Sequence, residues 1–235
     1  MVRKTRINLL TISVILVCIG IVMIYSSSSI YAWERYGDSF YFLKRHLSFL
    51  FVGVVLAFLA MVVDYRLFRK YAHWLIWIAL ILLVLVLIPG VGREVSGARR
   101  WFRFKFISFQ PSEFANLALI VYIADFITRK EDKIKILTTG FIPAMSMLAV
   151  VVLLILLQPD LGTIIALSSV VLIMLFVGGV RGRYILSLIL CSLPVLYFLV
   201  FSVPYRRARI LAFINPWLDP KGTGFQIIQS QIAIG

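Results

Sequence analysis

The sequence predicts an all-α polytopic membrane protein, with seven transmembrane helices in its 235 residues and an interfacial loop segment on the outer face. Three observations carry that expectation. Apolar side chains make up 62% of the chain, more than a soluble core of this size can hide and far from the apolar-poor composition of disordered chains. Charged residues make up only 14%, where a soluble domain carries roughly 25%. Apolar runs bounded by charge, Pro or Gly occur seven times, at 7–24, 47–63, 72–88, 114–127, 141–157, 161–180 and 184–203. A bilayer core of about 30 Å needs about 20 helical residues, and backbone in lipid must satisfy its own hydrogen bonds, so the runs are read as helices. They form a single transmembrane domain spanning 1–235.

The first run is too long for a secretory signal and lacks a small-residue cleavage pattern, so it is a retained span. Glu34 and Asp38 follow it in a mixed-charge loop. The fourth run is short and contains Asn116 and Asp125; a start at Pro111 gives it an acceptable length. Gly178 and Gly182 fit the spacing of small residues in packed helices, a weak signal. Cys18 and Cys191 lie inside spans as small apolar residues, and two cysteines exclude a disulfide framework. His46 and His73 have no partners spaced for a metal. Asp64 beside Arg66, Asp125, and Glu131 with Asp132 read as structural carboxylates.

Orientation should follow Lys and Arg in the short loops, but the loops of the two faces hold equal numbers of them. Arg3, Lys4 and Arg6 flank the first span on one side and the serine run Ser26 to Ser29 on the other, which places the N-terminus in the cytoplasm. The outer face then keeps two basic clusters, at 93–105 and 206–221, where positive charge is normally thin. An anionic partner accounts for them, as does snorkelling of long cations to headgroups.

From Trp101 the first cluster alternates, with Trp101, Arg103 and Lys105 on one side and Phe102, Phe104 and Phe106 on the other. That period of two marks a strand-like segment, expected to turn its aromatics to lipid and its cations to headgroups. The same interleaving can mark single-stranded nucleic acid binding, but between two membrane spans no nucleic-acid partner is expected. Gln110-Pro111-Ser112-Glu113 then opens the fourth span, with Pro suited to the first helical position and Glu113 placed to reach back to the capping N–H. A similar start, Gln158-Pro159-Asp160-Leu161-Gly162-Thr163, opens the sixth, with Asp160 suited to its helix dipole. Two helix N-termini and two basic loops on one face make a site for an outer-face anion such as a diphosphate. Glu113 and Asp160 would act there on a proton or a metal ion.

Ser96-Gly97-Ala98-Arg99-Arg100-Trp101, Phe109-Gln110-Pro111-Ser112-Glu113, Gln158-Pro159-Asp160-Leu161-Gly162-Thr163, Asn215-Pro216-Trp217-Leu218-Asp219-Pro220 and Gly224-Phe225-Gln226-Ile227-Ile228-Gln229-Ser230 together resemble the SEDS family (shape, elongation, division and sporulation). Val22 to Ser28 and Phe40 to Arg45 look more like its division branch than its elongation branch. The resemblance implies a bacterial inner-membrane peptidoglycan glycosyltransferase with ten helices, seven of them present here. It implies polymerisation of lipid II, a disaccharide peptide on undecaprenyl diphosphate, beside a class B penicillin-binding transpeptidase and other division membrane proteins. Carried over, Arg99, Arg100, Trp101 and Arg103 sit by the substrate with Arg206 and Arg209. Gln110, Glu113, Gln158 and Asp160 line the cavity, and Asn215, Asp219, Gln226, Gln229 and Ser230 shape the loop beside the catalytic centre. The family's proposed catalytic Asp lies in a His-Thr-Asp-Phe segment after the seventh helix, beyond Gly235, so no catalytic residue is expected in this chain and the polypeptide alone is expected to be inactive. Where the family usually has Lys three residues after the motif Glu, this sequence has Asn116. No defined cofactor is implied, and a divalent cation stays open.

Two other functions compete. A lipid-linked-sugar flippase calls for polar groups near the midplane and often internal repeats, whereas these spans are aliphatic there and concentrate charge in outer loops. A non-catalytic scaffold for the transpeptidase predicts that Arg99, Trp101, Glu113 and Asp160 tolerate alanine.

Overall fold

The computed structural model describes residues 2–95, 98–103, 108–220 and 222–234. The greater part of each of the seven apolar runs lies in a helix: α1 (Val2–Tyr36), α2 (Tyr41–Val62), α3 (Tyr65–Leu87), α4 (Pro111–Arg129), α5 (Ile142–Leu156), α6 (Leu161–Val177) and α7 (Gly182–Phe201). Between α3 and α4 stand three short strands, β1 (Arg93–Val95), β2 (Ala98–Arg103) and β3 (Ser108–Phe109), in an antiparallel sheet of order β1-β2-β3. Two further helices follow α7, α8 (Pro204–Ile214) and α9 (Phe225–Ile234). Among the described residues five helices are long and apolar enough to cross a membrane. The 17 residues of α6 sit at the lower limit, and α4 reaches 19 residues only because it begins at Pro111, as the sequence suggested. The protein is a multi-pass membrane protein.

The chain divides into two compact units after Leu67. In the first, α1 and α2 pack as a hairpin stitched at one end by ring pairs, among them Tyr36 stacked on Tyr41 at 4.1 Å and Tyr25 on Phe40 at 5.1 Å. Asp38 turns the corner, accepting from the Phe40 N–H at 2.9 Å and pairing with Lys44 at 2.8 Å. Glu34 lies inside α1 rather than in that loop, because α1 runs through the serine run to Tyr36; Ser27 and Ser28 return their hydroxyl protons to the carbonyls one turn back.

In the second unit the core is a four-helix packing of α3 to α6. Its buried positions recur at alternating three- and four-residue steps: Ala72, Ile76, Ala79, Leu83 and Val86 on α3, and Ala144, Leu148, Val151 and Ile155 on α5. On α6 the buried positions Ile164, Leu167, Val171 and Leu175 step by three, four and four. That spacing is the seam of left-handed helix packing. Lipid tails are as apolar as Leu, so close van der Waals fit rather than water exclusion holds such a seam together. The seam of α4 is built on small residues, with Ala115 and Ala118 fully buried, which lets its backbone approach its neighbours. By contrast α7 buries no side chain. An apolar groove of about 810 Å³ runs between it, α5 and α6, lined by residues such as Leu148, Leu172 and Leu188.

Two sequence readings are corrected here. Gly178 and Gly182 do not share a helix: Gly178 ends α6 and Gly182 starts α7. Gly178 still permits a close fit, since a Cβ there would stand 2.8 Å from a methyl of Ile127 on α4. The second correction concerns the basic strand. Phe102 is buried and its ring stacks parallel to Phe109 at 6.5 Å, so that aromatic faces into the sheet rather than toward lipid. Pairing of Phe102 with Phe109 across β2 and β3 fixes this inward direction; Phe104, Lys105 and Phe106 lie outside the described residues.

Candidate outer-face site

The end of α3, the sheet, the start of α4, the end of α5 and the start of α6 share one end of the second unit. Proline begins α4 at its first position, where a missing N–H costs nothing. Gln110 caps that helix by its extended backbone only, and its amide Nε2 instead donates to the Ser112 hydroxyl at 2.8 Å. The reach of Glu113 back to the capping N–H is not made: its carboxylate lies exposed on the first turn of α4. At α6 the expectation holds. Asp160 is the N-cap, its Oδ1 accepting from the Thr163 N–H at 3.4 Å.

The two starts are tied together by the sheet. Arg100 projects from β2 and donates from Nε to the Gln158 carbonyl at 2.7 Å and from Nη2 to the Pro159 carbonyl at 2.5 Å. Pro159 has a backbone φ of +26°, outside the range its ring prefers. The Gln158 side chain beneath is 1% exposed, and neither its Nε2 nor its Oε1 has a hydrogen-bond partner among the described residues. Arg99 is half-buried on β2 opposite Glu94 in the register, and Trp101 beside it is 36% exposed. The backbone of Arg103 pairs with Ser108; its side chain, like Lys105 and Lys221, lies outside what is described.

The other basic cluster follows α7, whose antiparallel course beside α6 brings it back to the same end; at the far end Gly182 lies against Phe176. Arg206 on α8 donates to the Leu199 carbonyl at 2.9 Å, satisfying the last turn of α7. Arg209 stands exposed one turn on. Asn215 closes α8, its N–H donating to Leu211. Asp219 then folds the chain back: Oδ2 accepts from the Thr223 N–H at 2.8 Å and hydroxyl at 3.2 Å, which holds its carboxyl below the usual acidic value. Glycine is required at 224, where a Cβ would run into the backbone carbonyl of Pro216; one at 222 would instead displace the Asp219 carboxylate. Gln226, Gln229 and Ser230 sit exposed on one face of α9, at the three- and four-residue spacing of a helical stripe.

At the opposite end of the unit, an ionic cluster unread in the sequence joins α3 to α4. Asp125 is 6% exposed and pairs with Arg129 at 2.8 Å and Arg69 at 3.4 Å, while Arg129 also meets His73 Nε2 at 3.0 Å. The structural role expected of Asp125 stands, now with named partners. Among the described residues no three His, Cys, Asp or Glu side chains gather to hold a metal ion.

Fold and site together define a polytopic membrane protein that gathers basic loops and two helix N-termini at one end of its bundle. Residues 6–235 match the FtsW/RodA/SpoVE family of cell cycle proteins, and the chain belongs to that family. It is 49% identical over its whole length to a probable peptidoglycan glycosyltransferase FtsW of Geobacter sulfurreducens, of which it covers 63%. It is 43% identical to the stage V sporulation protein E of Bacillus subtilis, covering 99% of this chain and 64% of that one. Among solved structures, one described as a peptidoglycan synthase complex coordinating polymerization and crosslinking superposes on 92% of the chain and 64% of its counterpart, with TM-score 0.69 and 33% identity. The rod shape determining protein RodA of Thermus thermophilus gives TM-score 0.57 at 32% identity over 77% of the chain and 58% of that protein. The chain thus spans a little under two thirds of these relatives.

Proposed function

We propose that the full-length protein is a peptidoglycan glycosyltransferase of the bacterial inner membrane that polymerises lipid II during cell division, with its N-terminus in the cytoplasm. The 4-hydroxyl of an acceptor sugar attacks the anomeric carbon of a donor sugar, the undecaprenyl diphosphate leaves, and the centre inverts. The reaction asks for a base near the hydroxyl and for fixed positive potential where charge builds on the diphosphate. The observation that carries the reading is the tie between β2 and the α5–α6 turn, which holds the α6 N-terminus at the same end as the α4 N-terminus and the arginines of β2. Arg99, Trp101 and Arg103 with Arg206 and Arg209 supply potential and a sugar-facing ring; Gln110, Glu113, Gln158 and Asp160 frame the two helix starts. Asn215, Asp219, Gln226, Gln229 and Ser230 build the turn and helix that adjoin the base, which the family resemblance places beyond residue 235. The similarity to a peptidoglycan synthase complex supports a class B penicillin-binding transpeptidase as partner. Flipping of the lipid is the less supported reading, because the buried seams of α3, α5 and α6 are aliphatic.

Full-length protein purified with its transpeptidase and given labelled lipid II should form glycan strands that persist with penicillin present. No strands, together with lipid movement across liposomes, would replace polymerisation by flipping.

A further inference from the structure

Both side-chain hydrogen bonds described for Arg100 end on backbone of another element. Its fork reaches two successive carbonyls, 58 and 59 positions ahead in sequence. Those carbonyls belong to a turn with two costs built in: Pro159 at φ +26°, and the Gln158 amide, 1% exposed with both polar atoms unpartnered. A residue held in a sparsely populated backbone region persists only where its surroundings over-determine it. Immediately after the turn comes Asp160, whose carboxylate caps α6, so the direction of the α6 N-terminus depends on how the turn is held. A planar fork can fix two carbonyls at once, while the lysine ammonium is a point donor on a flexible stem.

We propose that Arg100 is a positioning residue: it locks the Gln158-Pro159 turn and thereby aims Asp160 and the α6 N-terminus at the substrate, rather than gripping the diphosphate itself. This rests on the glycosyltransferase reading above.

The test uses the full-length protein with its transpeptidase, comparing Arg100→Lys and Arg100→Ala by hydrogen exchange over residues 158–165 and by kinetics on lipid II. The lock predicts faster exchange at the α6 start in both variants, less in Arg100→Lys. It also predicts kcat lower by roughly tenfold to a hundredfold, as for small misplacements of a catalytic group, with KM for lipid II unchanged. Unchanged exchange with a raised, salt-dependent KM in Arg100→Ala, restored in Arg100→Lys, would overturn it and make Arg100 a phosphate contact. If the parent protein forms no strands, the polymerase reading fails; the exchange result then still decides whether the lock exists.

Discussion

At the level of single residues, Asp219 and Gln158 hold opposite positions in the hydrogen-bond account. The Asp219 carboxylate accepts from both the N–H and the hydroxyl of Thr223, and these bonds favour its charged form over the neutral one. Its folded value lies below the ordinary 3.8. Above that ordinary value the carboxylate is charged whether the turn is open or closed, so its full contribution is present. The contribution fades as pH falls below 3.8 and through the depressed folded value. Protection of the amides at Gly222 to Gly224, taken relative to their intrinsic exchange rates at each pH, should therefore fall on acidification below about pH 4, and Asp219→Asn should flatten that dependence; a turn equally protected at both ends of the range would refute the assignment. Gln158 is the reverse case, a buried amide with no partner. An unmade buried hydrogen bond costs about 1–3 kcal/mol, so Gln158→Leu should raise the thermal midpoint while lowering glycan synthesis. A fall in both would mean that the amide contributes to folding.

At the level of elements, helix starts were open to sequence reasoning and helix faces were not. Pro111 at the first position and Asp160 at a cap obey local rules that need only a few neighbouring residues. The seams of α3, α5 and α6 escape detection because these helices are apolar all round, so periodicity in hydropathy carries no contrast. Phe102 was misdirected for a related reason. Alternation separates two sides of a strand but does not say which side meets protein, and the stacking of Phe102 on Phe109 decides it. The hold of Arg100 on Gln158 and Pro159 spans 58 and 59 residues and leaves no local trace. Asp125 looked structural, yet its partners come from two helices: Arg69 on α3 and Arg129 on α4 itself. Because the carboxylate is buried, Arg129→Ala should destabilise the protein by about 1–3 kcal/mol, read as a lower midpoint in thermal unfolding in detergent. The double variant with Asp125→Leu should recover part of that loss, since an apolar pair can replace a buried ionic one.

For the whole molecule, hydropathy made the helices legible, although among the described residues only five of them are long and apolar enough to cross a membrane, whereas the even split of Lys and Arg left the orientation to a single flank. On the topology read from the sequence, with seven spans and the N-terminus inside, the strands and α8 are expected on the side opposite Arg66 and Lys130. Single cysteines placed at Arg99 and Arg207 should both react with a membrane-impermeant thiol reagent in intact cells stripped of outer membrane, and cysteines at Arg66 and Lys130 should not. These are tested in a chain lacking Cys18 and Cys191. Labelling of Arg99 and Arg207 positions from opposite sides would dismantle the outer-face site.

The 19 residues of α4 span about 28 Å, with Gln110 and Glu113 at one tip and the Asp125–Arg129 pair at the other. A hydrogen-bonded rod of that length resists shortening, and its small-residue flanks leave little room for sideways play. A push on the Glu113 tip of such a rod is therefore expected to tilt it as a unit, and the contact of Asp125 with Arg69 at the other tip is where that tilt would be felt.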